Sequence, residues 1–218
     1  SVLIYGDSQA GITGSALQKV LQGQGHTVKR VSKAGYGVAK LLATAKSLNL
    51  AATPWDHVYL FAGGNDKVAN LPALRQLIDY FKPAPVTYVV LPPATLITNL
   101  TLAAKMWGKP KITPAHFFPE TAARREKVAA AYIDAALQTD TAIVFDVRDP
   151  LWPDAVKQPS GVVFPSQPDG IHIGPEMSKA VAPILAGKVG DTGVPVGLLI
   201  GVAAGVVAAF LLWRRGKG

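Results

Sequence analysis

A chain of 218 residues accommodates one α/β domain with a full core and a small appendage. Its formal net charge of +8 is spread over scattered lysines and arginines, apart from Arg214, Arg215 and Lys217 at the end; the pattern fits a solvated surface facing an anionic membrane or polymer and argues against nucleic-acid binding. The absence of cysteine excludes disulfides, thiolate metal sites and a cysteine nucleophile.

Short apolar runs alternate with helical segments, the signature of βαβ units and a parallel sheet. Val2 to Tyr5 is the first expected strand, and it runs at once into Gly6-Asp7-Ser8-Gln9. A helix is expected near Ser15 to Gln22, with Ala16, Leu17, Val20 and Leu21 on one face and Gly23 and Gly25 at its end. Thr27 to Val31 reads as a strand, Gly35-Tyr36-Gly37 as a loop and Val38 to Leu48 as a helix. Pro54-Trp55-Asp56 leads into a third strand, His57 to Ala62, closed by Gly63-Gly64-Asn65-Asp66. The helix Leu71 to Phe81 is stopped by Pro83 and Pro85, and the fourth strand, Val86 to Leu91, ends at Pro92-Pro93.

An insertion follows, Ala94 to Pro119. Its Lys105, Met106, Trp107, Lys109, Lys111, Phe117 and Phe118 can line an acyl or glycan site, or simply cover the sheet edge. A helix from Glu120 to Leu137 and a fifth strand from Ala142 to Val147 complete the alternation. The proline-rich loop Pro150 to Pro168 then leads to Asp169-Gly170-Ile171-His172 and a last helix, Pro175 to Leu185.

Four short blocks lie where chemistry belongs in such a sheet. Those at Gly6, Gly35 and Gly63 follow strands one, two and three, so they share the carboxyl edge, where open α/β sheets bind ligands. The block at Asp169 can close onto that edge when the last helix packs back. Together they supply what acyl transfer requires. Ser8 offers the attacking oxygen, His172 can take and return its proton, and Asp169, three residues earlier, can turn back to hold the imidazole. An oxyanion needs donors: the backbone N–H of Ser8, the Gly37 amide and the Asn65 side chain are available.

The bland readings are helix capping for Asp7 and Ser8, a plain turn for Asn65-Asp66, a loop glycine for Gly37 and a packed histidine for His172. Of the other histidines, His26 starts a strand, His57 lies at the opposite end of the sheet, and His116 lies in the insertion, within possible reach of the cleft. No Gly-x-Ser-x-Gly elbow, Walker lysine or Gly-x-Gly-x-x-Gly occurs, and the histidines lack metal-ligand spacing, so no cofactor or metal is expected.

In order and placement the four blocks resemble the SGNH (GDSL-type) hydrolase superfamily of esterases, lipases, thioesterases and carbohydrate acetylesterases. The first block matches at Gly6-Asp7-Ser8, with Gln9 where leucine often stands. The glycine block matches at Gly37, with Gly35 as the other register. The remaining two match at Gly63-Gly64-Asn65-Asp66 and Asp169-Gly170-Ile171-His172. The resemblance spans residues 1–186. It implies a three-layer flavodoxin-like sandwich of about five parallel strands, a triad of Ser8, Asp169 and His172, and an oxyanion hole of Ser8, Gly37 and Asn65.

Beyond a linker at 187–193, the stretch Val194 to Trp213 contains no charged or strongly polar side chain. About twenty such residues as helix span the ~30 Å hydrocarbon core of a bilayer. Trp213 with Arg214 and Arg215, the start of a basic tail over 214–218, reads as an interfacial anchor. Gly197, Gly201 and Gly205 share one face and permit close approach by a partner helix. The basic tail favours a cytoplasmic C-terminus and a domain outside. A chain with no secretory signal ahead of its first strand favours a domain that stays inside.

The expectation is therefore a membrane-anchored serine hydrolase, single-pass, in a cell envelope or virion membrane. It would cleave esters or thioesters such as lipid acyl groups or O-acetyl groups of glycans or peptidoglycan. An acyltransferase is the nearest rival. A structural membrane protein using the fold as an interaction module is the rival from another class.

Overall fold

The computed structural model describes residues 1–90, 119–146 and 172–189. The strands are β1 (Val2–Gly6), β2 (Val28–Ser32), β3 (His57–Phe61), β4 (Val86–Val90) and β5 (Ala142–Asp146). They form one sheet of order β2-β1-β3-β4-β5, with every neighbouring pair parallel. The strand composition explains the order. All five residues of β1 and of β3 are buried, as central strands covered on both faces must be. In β2, Lys29 and Arg30 are exposed, which suits an edge.

The helices are α1 (Ser8–Gly23), α2 (Val38–Ser47), α3 (Leu71–Tyr80), α4 (Pro119–Leu137) and α5 (Pro175–Ala186), with a short 3-10 turn at Leu50–Ala52. Alternation along the strands divides the core in two. Leu3, Tyr5, Val58, Leu60, Val86 and Tyr88 pack with α2, α3 and α4 on one face. Val2, Ile4, Tyr59, Phe61 and Val89 pack with α1 and α5 on the other. Helices on both faces of a five-stranded parallel sheet make the three layers expected from the motifs. The Tyr59 hydroxyl, 0 % exposed, donates to the Leu185 carbonyl at 2.5 Å, which fixes α5 to the sheet.

One departure from the sequence reading is instructive. Helix α1 begins at Ser8 rather than near Ser15, because Asp7 caps it: its carboxylate accepts from the Gln9 amide at 2.9 Å. The segment Gly11-Ile12-Thr13-Gly14 is a poor helix former, but its small residues let α1 approach the sheet. A Cβ on Gly14 would stand 2.7 Å from the Ile4 side chain, and one on Gly11 would stand 2.9 Å from the Ser32 hydroxyl. Tertiary contact overrides propensity here. The other departures, in strand and helix ends, are of one or two residues.

The insertion, the Pro150 to Pro168 loop with Asp169, and residues 190–218 with the expected membrane span all lie outside the described residues. Among the described residues, no helix is long and apolar enough to cross a membrane.

Candidate active site

The strand order reverses on either side of β1, with β2 to one flank and β3 to the other. Ligand crevices of open α/β sheets form at such a point, outside the carboxyl ends of the strands. Ser8 and Asn65 follow the two strands that flank this crevice.

The turn after β1 is tightly built. A Cβ at Gly6 would lie 1.9 Å from the Phe61 carbonyl oxygen, so only glycine lets the two central strands meet there. The Asp7 amide donates to that same oxygen at 2.9 Å, and the Lys33 amide donates to the Gly6 carbonyl at 2.8 Å. The Ser32 hydroxyl donates to the Asp7 carbonyl at 2.9 Å. Ser8 therefore sits at the first position of a helix whose entry is pinned from β2 and β3. It is partly accessible, whereas Asp7 and Gln9 beside it are buried.

His172 comes from the residues just before α5, and its Nε2 lies 2.9 Å from Ser8 Oγ. This is hydrogen-bonding distance between groups 164 residues apart in the chain. With the proton on Nδ1, Nε2 accepts from the serine hydroxyl, the geometry a general base needs. Asp169 and His116 lie outside the described residues. His57 begins β3, at the opposite end of the sheet, and its Nε2 is 2.8 Å from the Thr87 hydroxyl, so it belongs to the core.

The three candidate oxyanion donors come from neighbouring turns. Ser8 opens α1 and Gly37 is the cap residue of α2, so the amide-rich, partly positive ends of two helices border the crevice. Asn65 ties them together: its Nδ2 donates to Asp7 Oδ2 at 3.2 Å and to the Tyr36 carbonyl at 3.3 Å. Both contacts are long and both use the amide hydrogens, so donation to an oxyanion requires sharing one of them or a small rotation of the side chain.

Asp66 does work that its place in a turn did not announce. Its carboxylate accepts from the Val38 amide at 3.1 and 3.3 Å and from the Tyr132 hydroxyl at 3.0 Å. The Tyr132 oxygen accepts in turn from the Asn70 amide at 2.9 Å. A Cβ at Gly37 would lie 2.2 Å from Asp66 Oδ1, so this clamp on the α2 terminus demands glycine at position 37. Burial raises the Asp66 carboxyl above its ordinary value of 3.8, against the two hydrogen bonds that favour its ionised form. Burial likewise pushes the Tyr132 phenol up, which keeps it a donor. Gly63 closes the same corner: with φ +102° and Tyr132 against it, no side chain fits. Among the described residues, no group of three metal-ligating side chains is close enough to hold a metal ion.

Comparison with protein-family models gives no match, and comparison with curated proteins gives none. Solved structures do match. Est24, a carbohydrate acetylesterase from Sinorhizobium meliloti, superposes with a TM-score of 0.57 at 16% identity, over 86% of this chain and 97% of that one. The C-terminal catalytic domain of peptidoglycan O-acetyltransferase A from Streptococcus pneumoniae gives 0.57 at 16% identity, over 88% and 93%. The acetylxylan esterase Axe2 of Geobacillus stearothermophilus gives 0.57 at 15% identity, over 87% and 93%. The chain thus has the SGNH hydrolase fold that its four blocks resemble.

Proposed function

We propose that the chain is a serine acyl-transfer enzyme of the esterase type, with Ser8 as nucleophile and His172 as general base. The observation that carries this reading is the 2.9 Å approach of His172 Nε2 to Ser8 Oγ at the carboxyl edge of the sheet, beside two helix N-termini. Ser8 Oγ attacks the ester carbonyl carbon while Nε2 takes its proton. The carbonyl oxygen becomes an oxyanion, held by the Ser8 and Gly37 amides and by Asn65 Nδ2. Collapse expels the alcohol, which takes the proton from Nε2 and leaves an acyl-serine. Water enters by the same path in reverse, deprotonated by His172, and releases the acid. Asp169 is the proposed orienter of the imidazole, by its place three residues before His172.

O-acetyl groups on glycans are the substrate class favoured within this reading. The support is analogy of fold with an acetylesterase, an acetyltransferase and an acetylxylan esterase. Transfer to a second hydroxyl in place of water differs only in the acceptor. The apolar stretch 194–213 supports a membrane anchor that would keep the domain near envelope substrates.

A fluorophosphonate probe tests the core of the proposal. Labelling of wild type that is lost in Ser8→Ala is expected; a folded wild type that does not label overturns it. His172→Ala should lower kcat by about three to four orders of magnitude with the fold intact. Acetyl against long-chain nitrophenyl esters, with and without an oligosaccharide acceptor, separates acetylesterase, lipase and transferase.

A further inference from the structure

The seam between α1 and α5 is apolar over most of its length, with Ala10, Leu17, Leu21, Val181, Ala182 and Leu185 all buried. Three polar side chains interrupt it at one end: Gln9, Thr13 and Ser178, at 2, 0 and 2 % exposure. Gln9 and Thr13 are one helical turn apart and share a face. Ile173 connects them to α5. Its amide donates to Gln9 Oε1 at 3.4 Å, and its carbonyl accepts from the Ser178 hydroxyl at 3.4 Å. Thr13 Oγ1 closes the ring, 3.5 Å from Gln9 Oε1 and 3.2 Å from Ser178 Oγ. The Thr13 hydroxyl thus sits between Gln9 and Ser178, donating to Gln9 Oε1 and sharing with Ser178 Oγ a hydrogen bond in which either hydroxyl can be the donor.

Such a ring adds little to stability. Buried polar groups that replace apolar contacts recover only part of their desolvation cost, and an apolar trio of equal volume would hold the seam as well or better. What the ring adds is direction. Gln9 is the residue after Ser8, and Ile173 is the residue after His172. Both backbone groups of Ile173 are therefore gripped by, or through, the helix that carries the nucleophile.

We propose that Gln9, Thr13 and Ser178 are positioning residues that set the His172 imidazole against Ser8 Oγ. The proposal rests on the reading of Ser8 and His172 as an acyl-transfer pair. Displacing reacting groups by about 1 Å can cost a hundredfold in rate, so the ring acts on turnover more than on folding.

Gln9→Met removes the acceptor at nearly constant volume, and Thr13→Val removes the central hydroxyl at nearly constant shape. Both should lower kcat on nitrophenyl acetate about ten- to a hundredfold, with KM within about twofold and Tm within a few degrees. Thr13→Ser, which restores the hydroxyl, should recover most of the rate. Unchanged kcat in both variants, or no recovery in Thr13→Ser, overturns the proposal. A wild type whose turnover survives Ser8→Ala would instead sink the acyl-transfer reading. The ring is then judged by the nitrogen NMR signals of the His172 ring. Movement in Gln9→Met supports positioning, and identical signals refute it.

Discussion

At the scale of single residues, the site is a set of carboxylates and amides holding one another in place around Ser8. Asp7 is 1 % exposed, and its two oxygens serve different neighbours: one caps α1 at the Gln9 amide and the other holds the Asn65 side chain. Asp66 performs the matching task for α2. The raised Asp66 carboxyl has a consequence for stability whose sign is fixed. The folded chain binds this proton more tightly than the unfolded chain, so the group favours folding most in acid. That contribution is lost as pH rises from the ordinary 3.8 through the raised folded value. Asp66→Asn removes the titration while keeping an acceptor for the Val38 amide. Its urea midpoint should therefore fall less than that of wild type as pH rises from about 4 to 7. Equal falls in the two proteins would show that Asp66 does not carry this dependence.

At the scale of elements, close packing of α1 on β1 decides where Ser8 stands. Gly14→Val should destabilise the domain by about 1–3 kcal/mol, because its Cβ alone would press to 2.7 Å from Ile4. Thermal unfolding measures this, and an unshifted Tm would show that the helix can lift off the sheet without cost. The same packing explains what the sequence did and did not reveal. Four of the five strands were legible as short apolar runs ended by glycine, proline or a polar turn, and β2, with Lys29 and Arg30 inside it, was legible from its place between the glycines after α1 and the Gly35 loop. The blocks after β1 and β3 were legible because strand ends at a sheet edge need short residues with unusual backbone freedom. The first turns of α1 were not legible, since Gly11 and Gly14 suit the neighbouring sheet rather than the isolated helix. Tyr132 was hidden for another reason. It occupies an apolar position of α4, and the carboxylate it serves is 66 residues away. Gln9 and Ser178 were equally silent, because a contact between helices far apart in sequence leaves no mark in local spacing.

At the scale of the whole molecule, α5 is integral to the domain. It packs along α1, receives the Tyr59 hydrogen bond and leads out of the segment that carries His172. Val189 still packs against this core. A chain ended after Gly193 should keep its Tm and its activity, whereas one ended before Pro175 should not fold. If the apolar stretch 194–213 anchors the chain, the full protein should float with lipid vesicles and the shortened one should not. A full chain that stays at the bottom of the gradient would remove the anchor from the proposal. If Ser8 and His172 are the reacting pair, their distance in sequence also bears on the timing of function. Ser8 is translated 164 residues before His172. On the proposed reading, a nascent chain carries an inert alcohol until α5 has left the ribosome and docked. Under the proposed function, products of stalled translation or early proteolysis that lack α5 would stay chemically silent.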